Sequence, residues 1–63
     1  MTILRERRSL YRISARHFVA GFEAEEGRVV FSAPILRYMV GWSLGHVRDY
    51  CKTKRWKLEC VRG

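Results

Sequence analysis

"HFVAGFEAEEGRVVFSAP", His17 to Pro34, carries an alternation that decides the fold. Phe18, Ala20, Phe22 and Ala24 fall on one face of an extended strand, and Val29, Phe31 and Ala33 alternate again after the turn. Between them, "EEGR" supplies Gly27, which tolerates the positive φ of a tight turn. The stretch predicts a β-hairpin. A two- or four-residue loop sets Ala24 opposite Val29, Phe22 opposite Phe31 and Ala20 opposite Ala33, gathering every large apolar residue on one face. A three-residue loop sets Phe22 against Val30 and sends Phe31 to the other side. The first register is expected, because a slip of one residue inverts the core face.

Working outward, Pro34 ends the sheet pattern. It has no N–H for a ladder but suits the first turn of a helix, with Ser32 or Ala33 as cap. "PILRYMVG" predicts a short helix ending at Gly41, with Ile35, Leu36, Met39 and Val40 inward and Arg37 and Tyr38 outward. Trp42 bridges to Ser43, a good N-cap for a second helix from about Leu44 to Lys54. Leu44, Val47 and Cys51 form its buried stripe, flanked by Tyr50. Lys52, Lys54 and Arg55 then complement the helix dipole, by about 0.3–1 kcal/mol each. "WKLECV" alternates once more, so Trp56, Leu58 and Cys60 are expected inward on a third strand.

The expected fold class is therefore α+β: a ββααβ domain over residues 17–63, with both helices on one face of a three-stranded sheet. The last strand is expected alongside the first strand of the hairpin and parallel to the second. Residues 1–16 are read as a partly ordered basic arm feeding the hairpin. A short helix in "ILRERRSLY" and an extension of the first strand through "LYRISARH" are the other two readings of that segment.

A chain of 63 residues is one domain. It buries only about 60% of its unfolded surface, so its stability margin is thin. Its apolar content of 48% suffices for a small core and excludes a disordered composition. No apolar run approaches the ~20 residues that span a bilayer, and the charged start "MTILRERRSLYR" does not resemble a secretory leader, so a cytoplasmic location is expected. Cys51 and Cys60 do not make a disulfide framework.

The net charge of +7 is concentrated at the two ends. Residues 1–16 carry five arginines against one glutamate, and residues 47–63 carry six cations against two anions. Such a field attracts nucleic acid, acidic protein surfaces or anionic lipid. The sharpest constellation is Arg48, Lys52 and Arg55, a cationic ridge at i, i+4 and i+7 beside the buried stripe. Like charges at this spacing cost an isolated helix a few tenths of a kcal/mol, which anion binding would offset. The plainer reading is a solvated flank with Asp49 and Glu59 as partial neutralisers. Lys57, Arg37 and Tyr38 supplement the ridge, and Arg5, Arg7, Arg8 and Arg12 form an electrostatic arm. Trp56 is read as core and not as a ligand-binding ring.

Other chemistries find less support. "PILRYMVGWSLGHVRDYCKTK" has the outline of a helix-turn-helix, but Gly45, His46 and Asp49 give the start of the second helix little capacity to read bases. Cys51, Cys60, His17 and His46 lack zinc-site spacing, and both cysteines are expected on buried faces, so no metal is predicted. His17 has no evident orienting partner, and phosphate loops and paired carboxylates are absent. The reading is a non-enzymatic protein without a cofactor.

From "RHFVAGFEAEEGRVVFSAPILRYMVGWSLGHVRDYCKTKRWKLECV" the chain resembles small accessory proteins of phages and prophages. The "EEGRVV" hairpin, the "APILRYMVGW" turn into helix and the closing "RW-L" strand carry the resemblance, over about three quarters of the chain. It implies inhibition or redirection of host machinery, including CRISPR surveillance complexes, by binding. It carries over no functional residues. Many such inhibitors are acidic and imitate DNA; a basic one would instead cover an acidic protein surface or bind the nucleic acid of a complex. The expected function is thus an anti-CRISPR-like inhibitor or regulator acting on a nucleic acid or nucleoprotein complex in the host cytoplasm, with no membrane or small-molecule partner. A nucleic-acid-binding transcriptional regulator is the first alternative. A small subunit of an oligomer, associating through an edge strand, is the second.

Overall fold

The computed structural model describes residues 8–62. Strands β1 (Arg8–Ser14), β2 (Val19–Glu25) and β3 (Arg28–Ser32) lead to a 3-10 helix (Pro34–Met39), helix α1 (Leu44–Lys54) and strand β4 (Lys57–Arg62). The four strands form an antiparallel sheet in the order β3-β2-β1-β4. This overturns the three-stranded, two-helix ββααβ reading. The missing strand is β1, which lies within the segment read as an arm and occupies an interior position of the sheet. Its insertion separates β4 from β2. Being antiparallel to β1, β4 runs parallel to β2 and antiparallel to β3, opposite to the expected direction.

The hairpin turn is the tight one. Glu25 faces Arg28, leaving Glu26 and Gly27 as a two-residue loop with φ of 52° and 78°. Positive φ at both central residues is the twist-matched geometry of type I′. Ala24 faces Val29, as expected, but the register then shifts: Glu23 faces Phe31 and Phe22 faces Ser32. Val30 is the extra residue of a β-bulge, and one extra residue turns the remainder of the strand over. Phe31 therefore points away from the core and is 62% exposed, which corrects its inward assignment. At the bulge the outer edge of β3 is engaged by the connector ahead of α1. Val29 N–H donates to the carbonyl of Trp42, and Gly41 N–H donates to the carbonyl of Val29.

The segment after Pro34 winds as a 3-10 helix, with Ala33 in the cap position and Pro34 in its first turn. Three residues per turn align Leu36 with Met39, and these two are buried. Ile35 and Val40, expected inward on an α-helical count, are exposed for the same reason. Gly41 ends the turn at φ 96°. Helix α1 matches its expected limits. Ser43 Oγ accepts a hydrogen bond from His46 N–H at 3.1 Å, and Val47 and Cys51 are buried.

At its other end Trp56 N–H donates to the Cys51 carbonyl and Arg55 N–H to the Lys52 carbonyl, with Arg55 left-handed at φ 65°. That is a Schellman motif with arginine where glycine is usual. The core lies between one face of the sheet and the two helical segments: Ile13, Ala20, Phe22, Ala24, Val29, Leu36, Met39, Val47 and Cys51. The alanines of β2 leave room for the helices to approach. Trp56 and Leu58 pack against this core partly buried. Cys60 is exposed, correcting its inward placement.

Candidate nucleic-acid interface

Alternation along each strand decides where its cations go. On β1, Ile13 faces the helices, so Arg8 and Arg12 face the opposite, open side of the sheet. On β4, Leu58 lies opposite Ile13, so Lys57 and Glu59 share that open side. There the cations meet glutamates: Arg8 Nη1 lies 3.0 Å from Glu23, Arg12 Nη2 lies 2.6 Å from Glu59, and Lys57 Nζ lies 3.4 Å from the other oxygen of Glu59. Lys57, expected to supplement the helix ridge, thus lies on the other side of the sheet from it, and there Lys57, Arg8 and Arg12 are ion-paired. Glu59 is engaged on that side and does not serve the helix ridge. Arg5 and Arg7 lie outside the described residues.

The helix layer is different. Arg48 and Lys52 stand exposed on α1, while Arg55, expected to continue their ridge, lies beyond the helix end as its exposed left-handed cap; no hydrogen bond or ion pair joins the three side chains to another described residue. Arg37 and Tyr38 are exposed on the 3-10 helix, with the Tyr38 ring edge-on to Trp42 and Tyr50 at 5.7 and 5.9 Å. Partial burial, together with a hydrogen bond to Tyr50, pushes the Tyr38 hydroxyl up to about 12.

Where the ridge ends, the β1–β2 connection meets the C-terminus of α1. Ala15 N–H donates to the Phe18 carbonyl, which curls residues 15–18 toward the helix end. Between them opens a cleft of about 370 Å³. Phe18 and Trp56 form its apolar floor, their rings edge to face with centroids 5.1 Å apart. Arg16, His17, Lys54 and Arg55 surround it. The cleft joins two short runs that are 36 or more residues apart in sequence, "RHF" and "KRW".

An aromatic seam leads away from this floor along the other flank of α1. Trp56 meets Tyr50, Tyr50 meets Trp42, and Trp42 meets His46 at 4.1 Å, while Lys54 Nζ sits 5.6 Å from the centre of the Tyr50 ring. Of the cleft residues, only Arg55 belongs to the sequence-based candidates. Arg16 and Lys54 were not among them, and Phe18 and Trp56 were assigned to the core. Their signal, a cation beside an aromatic in both runs, acquires meaning only when the runs are adjacent.

Burial pushes the Cys51 thiol up, away from the thiolate form that a nucleophile needs. Among the described residues no three histidine, cysteine, aspartate or glutamate side chains are grouped to hold a metal ion. No described helix is long and apolar enough to cross a membrane. Comparisons of the chain with family models, with curated proteins and with solved structures give no match.

Proposed function

We propose that this protein works by binding and not by catalysis, and that its target is a nucleic acid or nucleoprotein complex, met in the cytoplasm of a host cell. The contact surface is the α1 flank with its cleft: Arg48, Lys52, Arg55, Lys54 and Arg16. One contrast carries the reading. Arg8, Arg12 and Lys57 on the open side of the sheet have glutamate partners, whereas the flank cations have no ion pair among the described residues. Cations beside aromatic rings, with no carboxylate within ion-pair distance among the described residues, suit a partner that supplies both phosphates and bases. Arg55 adds support, since a non-glycine residue held left-handed at a cleft rim is the kind of local strain found at functional positions. The resemblance to phage accessory proteins is consistent with such a role, as inhibitor or regulator.

The test is a salt titration of binding to RNA and DNA oligomers of equal length, with the natural protein and with an Arg48→Glu, Lys52→Glu double variant. Counterion release predicts that log K falls linearly with log salt, by about 0.7–0.9 per phosphate contacted. The variant is expected to bind at least tenfold more weakly with a shallower slope and an unchanged melting temperature. Equal affinity of the two proteins at every salt concentration would falsify the assignment.

A second reading, a small subunit of an oligomer, draws on the open side of the sheet, where Val19 and Phe31 are exposed. Sedimentation at rising concentration checks it, and a constant monomer mass removes it.

A further inference from the structure

Every nucleic acid offers phosphates, but only single strands offer unpaired bases. We infer that the cleft between the β1–β2 connection and the end of α1 takes one unpaired base of a single-stranded nucleic acid, against Trp56 and Phe18, while the ridge on α1 holds the phosphates that follow it. The inference rests on the proposed polyanion-binding role and adds the class of strand.

Three observations carry it. The cleft volume, about 370 Å³, lies at the small end of the roughly 300–1,000 Å³ of ligand sites, room for one nucleotide. Its floor is aromatic and its rim cationic, the two elements that single-strand binders combine. Arg55 lines the cleft at the end of α1. From there Lys52 and Arg48 lie one to two turns back along the helix, within about 10 Å, a span that reaches the next phosphates of an extended strand. The rings are set for this use. Trp56 makes edge-to-face contacts with both Phe18 and Tyr50, which restrain its ring before any ligand arrives, and it is only partly buried. A preorganised ring loses little entropy on stacking.

The test compares oligothymidylate with an abasic deoxyribose-phosphate oligomer of the same length and charge. The reporter is a Trp42→Phe variant, in which Trp56 is the remaining tryptophan of the two. Stacking predicts that the base-bearing strand binds about 5- to 150-fold more tightly than the abasic one and quenches the Trp56 emission. It also predicts that Trp56→Leu, shown by circular dichroism to be folded, loses the difference. Should that variant not fold, the Trp56 quenching of the reporter protein decides alone. Equal binding of both strands, weakened alike by Arg48→Glu with Lys52→Glu, overturns the stacking and leaves the phosphate surface standing. A preference for bases that leaves Trp56 emission unchanged also overturns it. If neither strand binds, the polyanion reading itself fails and this inference goes with it.

Discussion

Arg12 and Glu59 face each other across adjacent strands, with both Nε and Nη2 of the arginine donating to one carboxylate oxygen, at 3.1 and 2.6 Å. Lys57 approaches the other oxygen at 3.4 Å. The hydrogen bond from Arg12, then that from Lys57, holds the Glu59 carboxyl below its usual range. A lowered folded pKa stabilises the fold above the ordinary glutamate value, about 4.3, and that contribution disappears as pH falls through the lowered value. Glu59→Gln is therefore expected to melt below the natural protein at neutral pH in low salt. The gap should narrow below about pH 4 and on adding salt, because the pair is at the surface. Thermal melts across pH 2–7 read this, and a gap that ignores pH speaks against the pair.

Phe22 and Phe31, both assigned to the core by alternation, are separated by the bulge. Phe22 is 1% exposed and Phe31 is 62% exposed. Phe22→Ala should cost about 3–5 kcal/mol, enough to unfold much of so small a domain. Phe31→Ala should stay within about 0.5 kcal/mol. Denaturant melts of the two variants distinguish the bulged register from the regular one, in which both losses would be large.

The two left-handed positions at Gly27 and Arg55 predict substitutions of opposite sign. Gly27 has φ 78°, and no atom lies within 4 Å of where a Cβ would stand, so Gly27→Ala should cost about 1 kcal/mol from backbone strain alone. Arg55→Gly relieves the same strain at a helix end and should stabilise the fold by about 0.5–1 kcal/mol. The same substitution removes a cleft cation and is expected to weaken nucleic-acid binding. A variant both more stable and weaker in binding is the outcome to look for; a loss of stability would show that the Arg55 side chain supports the fold.

The cysteines should differ in reactivity. Cys60 is exposed, and Cys51 is buried with its thiol pushed up by that burial. Under native conditions a thiol reagent should modify one cysteine per chain promptly, and the second only after unfolding. Prompt reaction of both would contradict the packing of α1 on the sheet.

Much of the local structure was legible because its causes lie within a few residues. Ser43 with the Leu44, Val47 and Cys51 stripe fixed the start and face of α1, and Gly27 marked the turn. The helix after Pro34 was found but its winding was not. Leu36 and Met39 satisfy both an α and a 3-10 count, and the exposure of Ile35 and Val40 distinguishes the two. For the site, Arg48 and Lys52 could be read from spacing on one helix, but Arg55, counted as its i+7 position, falls beyond the helix end in a left-handed cap. Arg8, Arg12 and Lys57 looked equivalent to the helix cations, because nothing in their spacing shows that Glu23 and Glu59 stand across neighbouring strands.

By itself the sequence determined a small basic domain, a hairpin turn around Gly27, the limits of α1, and which of its flanks is positive. Each follows from backbone preference or periodicity over about ten residues. Tertiary structure alone decided that Arg8–Ser14 is an interior strand, that Phe31 turns outward, and that Arg16, Phe18, Arg55 and Trp56 line one cleft. Those outcomes depend on pairing between segments distant in the chain, where a single unpaired residue at Val30 is enough to reverse a face.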